Sequence, residues 1–195
     1  MNEAIFSTPI YRTLATKIDT LAINNEISSK CKDIQYSKRP DWVSSNHSLS
    51  DVSFTDNLID QYDLQLLKKF IKKHTNAYIN SMNGTPLKFE IQQSWMTYTK
   101  KGEHTVMHNH AKNDIAGVYY YKTNGKDGSI QFLNPNPAYD ATIFFTEHLA
   151  VYPPQEGALI LFPGWLHHQV TENTTDNVRM SLSFNINLKR LWNGE

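Results

Sequence analysis

Five of the eight histidines in this 195-residue chain fall in two short segments. His104, His108 and His110 lie within residues 102–110, and His167 and His168 within residues 162–168. Neutral imidazole is the commonest metal ligand among side chains. Residues two apart on a strand point the same way, so His108 and His110 can offer two imidazoles to one ion. A third ligand would then arrive from a distant strand. His167 and His168 point to opposite sides of a strand, and only one of them can face that ion. Asp114 is a further candidate, a carboxylate that reaches the ion if its loop folds back. His104 shares strand parity with His108 and is read as a surface residue. Structural or surface roles are expected for His47, His74 and His148.

A second chemical feature lies eleven residues beyond His168, where Arg179 opens the last apolar–polar alternation of the chain. Met180, Leu182, Phe184 and Ile186 form one face, and Arg179, Ser181, Ser183, Asn185 and Asn187 the other. The apolar face should pack against helices. The polar face can meet water, or it can line a cavity, where a buried Arg needs an anionic partner.

The elements that carry these residues divide the chain in two. Residues 1–86 show helical patterning. Asp19 can cap a helix with apolar positions Ile23, Ile27, Cys31 and Ile34. Asp56 can cap a longer one whose stripe is Ile59, Tyr62, Leu66, Phe70, Ile71, Tyr78 and Met82, with Lys68, Lys69, Lys72 and Lys73 largely on the solvated side. After Pro86 the period changes to two. Phe89, Ile91 and Trp95 alternate with Gln92, Ser94 and Tyr98, and further short strands are predicted at 105–110, 115–122, 128–133, 149–152, 157–162, 166–171 and 177–187, separated by Gly, Pro and Asn. That density of short strands means a β-sandwich or barrel. One domain over 1–195 is the simplest organisation, with 1–86 as helical support and 87–188 as the β core. Trp42, Trp95, Trp165 and Trp192 are read as packing residues, with Trp165 near enough to His168 to wall the site.

Composition narrows the classes. Lys plus Arg and Asp plus Glu are both 19, so the formal net charge is zero, and a nucleic-acid binder would carry a basic excess. The single cysteine, Cys31, excludes an intramolecular disulfide and a Cys-based zinc site, and suits a reducing, cytoplasmic compartment. No apolar run approaches a membrane span, and Met1-Asn2-Glu3-Ala4 lacks the basic start of a signal peptide. The sequence says nothing of oligomeric state.

Several segments together carry a family resemblance. They are Phe6-Ser7-Thr8-Pro9-Ile10-Tyr11, His108-Asn109-His110 leading to Ala116-Gly117-Val118-Tyr119-Tyr120, Gly157-Ala158-Leu159-Ile160-Leu161-Phe162-Pro163 with Trp165-Leu166-His167-His168, and Arg179-Met180-Ser181-Leu182-Ser183-Phe184-Asn185. The set resembles a small family of 2-oxoglutarate/Fe(II) oxygenases related to the prolyl-4-hydroxylase branch and found in marine bacteria and their phages. The resemblance implies a double-stranded β-helix (a jelly-roll, cupin-like barrel) flanked by α-helices. It implies Fe(II) held by His108, His110 and His168, and 2-oxoglutarate as a cosubstrate whose distal carboxylate pairs with Arg179. Ser181 is a further oxoacid contact by resemblance, and Tyr98 and Tyr120 are candidates by their position relative to His108. The implied reaction decarboxylates 2-oxoglutarate to succinate and CO2 and hydroxylates an unreactive C–H bond of a primary substrate that the sequence does not identify. A phage-encoded copy would act in the cytoplasm of its bacterial host. Position 110 departs from the broad superfamily pattern, which has Asp or Glu there. Three neutral imidazoles can still bind Fe(II), with zinc or nickel as competitors. A cupin-like three-His module without oxygenase activity is therefore the alternative, and a degenerate structural barrel with no metal is a third reading.

Overall fold

The structure, a computed structural model, describes residues 7–38, 48–50, 57–84, 87–136 and 148–189. The proposed cap Asp56 and residues Phe6, Trp42, His47 and Trp192 lie outside them. Among the described residues, eleven strands and three helices follow one another as β1 (Tyr11–Leu14), α1 (Lys17–Lys30), β2 (Tyr36–Lys38), β3 (Ser48–Ser50), α2 (Leu58–Gln61), α3 (Gln65–Asn83), β4 (Phe89–Thr99), β5 (Thr105–His108), β6 (Ile115–Lys122), β7 (Ile130–Leu133), β8 (Leu149–Tyr152), β9 (Ala158–Pro163), β10 (His168–Val170) and β11 (Arg179–Leu188). A seven-stranded sheet runs β1-β9-β6-β11-β4-β3-β2, and a four-stranded sheet runs β5-β10-β7-β8. All named pairings within both are antiparallel. No helix among the described residues is long and apolar enough to cross a membrane.

The larger sheet is covered on both faces, and strand β6 shows why. Its residues Ile115 to Tyr121 are all buried, as a near-continuous apolar run requires. Ile115, Tyr119 and Tyr121 join Leu159, Leu161, Leu182, Phe184 and Ile186 in a core that includes Ile23 and Ile27 of α1 and Leu67, Ile71, Tyr78 and Ile79 of α3. Ala116, Val118 and Tyr120 turn the other way, toward Ile130 and Phe132 of the smaller sheet. The helices therefore buttress the outer face, and the inner face meets the second sheet around a cavity.

The N-terminal third differs from the helical reading of 1–86. Strands β1, β2 and β3 lie in it and extend both edges of the larger sheet. Each is three or four residues long, too short for a period to emerge against the neighbouring helices. Helix α1 is capped by Thr16, not Asp19: Thr16 Oγ1 accepts from the Asp19 backbone N–H at 3.1 Å and donates to the Asp19 carboxylate at 2.9 Å, a reciprocal cap. The long second helix is two. Asp63 takes a left-handed φ of 51° between α2 and α3, and the Glu26 carboxylate of α1 accepts from the Leu66 and Leu67 N–H groups that open α3. That break re-phases the helix. Leu67 and Ile79 are buried, while Leu66 and Met82 of the expected stripe are nearly half exposed.

Candidate metal and oxoacid site

The larger sheet presents a polar ladder to the cavity. In the β4–β11 register Arg179 faces Thr99, Ser181 faces Thr97, Ser183 faces Trp95 and Asn185 faces Gln93. Gln92 has no partner on β11, since Asn185 pairs with Gln93 and Ile186 with Ile91. This bulge inverts the facing of β4 beyond it. Trp95 and Thr97 consequently line the cavity, while Ser94 turns to the helices and accepts from the Ile59 N–H at 2.9 Å.

The bulge removes Tyr98 from the site. It pairs with Met180 on the helix-facing side and its ring packs on Tyr36, with centroids 5.1 Å apart. Thr97 and Thr99 hold the positions that the alternation gave to Tyr98. Ser181 lines the cavity, its hydroxyl 2.5 Å from that of Thr97. Tyr120 lines it as well. Burial, with Asp127 adding to it and Arg179 opposing, pushes the Tyr120 phenol up to about 12, so it remains a hydrogen-bond donor.

Three histidines converge on this cavity. One ring nitrogen each from His108, His110 and His168 lie within 4.8 Å of one another. His108 and His168 face each other across the β5–β10 pair. Their Nδ1 atoms lie 2.9 Å from the Val106 carbonyl and 3.0 Å from the Leu166 carbonyl. A carbonyl only accepts, so each Nδ1 carries the proton and each Nε2 keeps its lone pair. Burial is the main cause that lowers the pKa of all three. His110 falls to about 3 with help from His108, and His168 falls well below the ordinary value with help from both others. All three are neutral near pH 7, the state a metal requires.

His110 reaches the cluster by another route than strand parity. β5 ends at His108, and the His110 N–H donates to the Gly164 carbonyl at 2.7 Å. Gly164 permits that approach: a Cβ there would meet the His110 and Asn113 carbonyl oxygens at 2.9 and 2.0 Å. Asp114 does not join the cluster. Its side chain accepts from the Leu188 N–H at 2.8 Å at the end of β11. His167 is exposed and hydrogen-bonds Asn109 at 3.0 Å. Trp165, expected to wall the site, is instead half exposed and lines a separate groove with Ser7, Thr8 and Ile10, while Trp95, expected only to pack, lines the cavity with its ring 6.0 Å from that of His110.

Arg179 is 3 % exposed. Its Nη1 donates to the Asp127 and Gly128 carbonyls at 2.8 and 3.0 Å, and its Nη2 to Thr99 Oγ1 at 3.2 Å. Nε is buried and has no partner among the described residues. Asp127 offers Arg179 only its backbone. Its carboxylate is taken by Thr123, the Asn124 N–H and Asn177 at 2.5, 2.9 and 2.6 Å. A buried guanidinium with an open Nε edge and no ion pair among the described residues fits a planar anion. Asp127 and Gly128 were missed in the sequence, where a buried Asp in a polar turn gives no periodic signal.

The cavity measures about 330 Å³, within the range of small-molecule sites. Three neutral nitrogens at one point and an unpaired cation on the facing sheet suit a divalent metal with a carboxylate-bearing ligand. No curated protein matches the sequence. Solved structures share the fold. An oxidoreductase of the 2OG-Fe(II) oxygenase family from Burkholderia pseudomallei is 13 % identical over 84 % of this chain and 77 % of its own, with a TM-score of 0.61. A prolyl-4-hydroxylase from Pseudomonas putida is 11 % identical over 95 % and 94 %, with a TM-score of 0.62. HygX from Streptomyces hygroscopicus, solved with nickel, 2-oxoglutarate and hygromycin B bound, is 9 % identical over 92 % and 83 %, with a TM-score of 0.61. The two sheets thus form a double-stranded β-helix. The family model described as "Putative 2OG-Fe(II) oxygenase" matches residues 93–185, which run from Gln93 through all three histidines to Asn185. Over those residues the chain is similar to the 2OG-Fe(II) oxygenase family, whose members use Fe(II) and 2-oxoglutarate.

Proposed function

We propose that the chain is an Fe(II)- and 2-oxoglutarate-dependent dioxygenase that hydroxylates a primary substrate and releases succinate and CO2. The observation that carries this reading is the pairing of the three-histidine cluster with the open Nε edge of Arg179 in one cavity. His108, His110 and His168 would hold the metal through neutral nitrogens. Arg179 would bind the distal carboxylate of the oxoacid, with Tyr120 and Ser181 as further hydrogen-bonding groups. The metal and oxoacid, when bound, supply the oxidation of a C–H bond coupled to decarboxylation.

The chain's own residues do the positioning. The Val106 and Leu166 carbonyls fix the histidine tautomers. The Asp127 and Gly128 carbonyls hold the guanidinium so that its free edge is ready before the ligand arrives. Phe162 and Phe132 pack on His168 with ring centroids 4.7 and 5.9 Å away, which keeps water from one side of the cluster. The reading takes residues 1–86 as support for the core, and the single buried thiol of Cys31 supports a cytoplasmic setting.

The test is 2-oxoglutarate conversion by the purified chain. Succinate should form with Fe(II) and oxygen and stop when Fe(II) is replaced by Zn(II). Among the described residues the cluster holds no carboxylate, which favours one rival, a three-histidine binding module. A folded, metal-loaded chain that makes no succinate and binds no 2-oxoglutarate decides for that rival.

A further inference from the structure

The cavity has a second polar end that neither metal nor oxoacid uses. Along β11, Arg179 and Asn185 are six residues apart on the ladder, about 20 Å at ~3.4 Å per residue. The histidine cluster stands between them, since the His110 ring lies 6.0 Å from that of Trp95, one rung from Asn185 and Gln93. An oxoacid anchored at Arg179 and reaching the histidines leaves the Asn185 end open.

Asn185 is 3 % exposed and lines the cavity. Its Nδ2 donates to Gln93 Oε1 at 3.1 Å, and its Oδ1 is buried without a partner among the described residues. A buried acceptor left unpaired is destabilising until a donor reaches it, and Gln93 carries a donor, Nε2, on the same rung. Reversing both amides would leave the same complement, one donor and one acceptor. Charge limits the guest. Among the described residues that line the cavity, Arg179 alone bears a fixed charge, so no carboxylate there would neutralise a cationic substrate.

We infer, on the oxygenase reading above, that Asn185 and Gln93 form the primary-substrate subsite and select a neutral amide group. The amide N–H donates to Asn185 Oδ1, and the apolar carbons beside it lie along Trp95, which brings them to the histidine cluster. A site built around an unpaired acceptor discriminates strongly against an analogue that lacks the donor.

Two probes of matched shape test this. N-methylcyclohexanecarboxamide presents one N–H, and methyl cyclohexanecarboxylate replaces it with an ester oxygen. Ligand-observed NMR titration of the Ni(II)-loaded chain with 2-oxoglutarate should show the amide bound at least about ten-fold more tightly than the ester. In Asn185→Leu the two should fall within two-fold of each other, with 2-oxoglutarate affinity by calorimetry unchanged. If Asn185→Leu does not fold, Asn185→Ser, whose hydroxyl is too short to reach, should lose the preference in the same way. Equal binding of the probes by the wild type, or a ten-fold preference that survives in a folded Asn185 variant, overturns the subsite. The calorimetric arm reports separately on the oxygenase reading. A wild type that binds no 2-oxoglutarate overturns that reading, while the amide preference is still measured on the same protein.

Discussion

Arg179 is held from three directions by neutral oxygens, and its one free edge has no anion among the described residues. Removing it would leave a bound carboxylate buried and unpaired, a loss of about 3–5 kcal/mol in affinity. Arg179→Ala is therefore expected to weaken 2-oxoglutarate binding by two to three orders of magnitude or more by calorimetry on the Ni(II)-loaded chain. Arg179→Lys should recover only part, because a point charge cannot form the fork. Wild-type affinity in the Ala variant would place the oxoacid elsewhere and leave the metal cluster untouched. His110 raises a different question, since the proposed cluster has a neutral imidazole at the position where the family resemblance leads one to expect a carboxylate. His110→Asp adds a negative charge beside a divalent ion. Fe(II) should bind at least as well, and succinate formation should persist, with a small loss because Asp is shorter than His. In a non-redox three-nitrogen module the same change weakens Zn(II) or Ni(II) binding and creates no turnover. Parallel succinate assays on wild type and variant separate the two.

At the scale of elements, the turn that feeds β7 decides whether Arg179 can lie where it does. Gly128 has φ 105°, and a Cβ there would meet the Thr171 carbonyl at 2.4 Å and Arg179 Nη1 at 2.6 Å. Gly128→Ala should cost about 1–3 kcal/mol of stability from backbone strain and also lower 2-oxoglutarate affinity by displacing the guanidinium. Gly102→Ala is the control. It has φ 82° but open space around the added Cβ, so it should cost stability alone. Denaturant titrations and calorimetry on both variants check the contrast, and a Gly128→Ala chain with full affinity would show that the turn does not position the Arg. The same scale explains what was legible in the sequence. The facing of Arg179 and Ser181 could be read because β11 alternates without interruption over those residues. The facing of Tyr98 could not, because the Gln92 bulge leaves no mark in the hydrophobic pattern and inverts everything after it. The break at Asp63 escaped for a related reason: it is fixed by Glu26 from another helix, a contact remote in sequence. The structure brings His108 and His110 together as the spacing suggested, but for His110 it does so through the Gly164 contact and not the strand period.

On the scale of the whole molecule, the site is divided between two sheets. His108 and His168 belong to the four-stranded sheet, and Arg179 to the seven-stranded sheet that the helices support. A ligand that joins metal to Arg179 therefore ties the two sheets together, and its binding should appear in global stability. Ligands that bind only the folded state stabilise it by about 2.7 kcal/mol at a hundred times Kd. For a chain of this length each kcal/mol raises Tm by about 2–4 °C, so an increase of about 5–10 °C is expected from saturating Ni(II). 2-Oxoglutarate added to the metal-free chain should give a smaller rise, because only its Arg179 end is anchored. Added after Ni(II), it should give a larger increment than it gives alone, since both ends are then held. In Arg179→Ala the Ni(II) increment should remain and the 2-oxoglutarate increment should shrink in both orders of addition. Thermal unfolding of the four ligand states in both proteins reads all of this. Equal 2-oxoglutarate increments with and without metal would mean that the oxoacid does not reach the histidines, and the two halves of the site would then be separate.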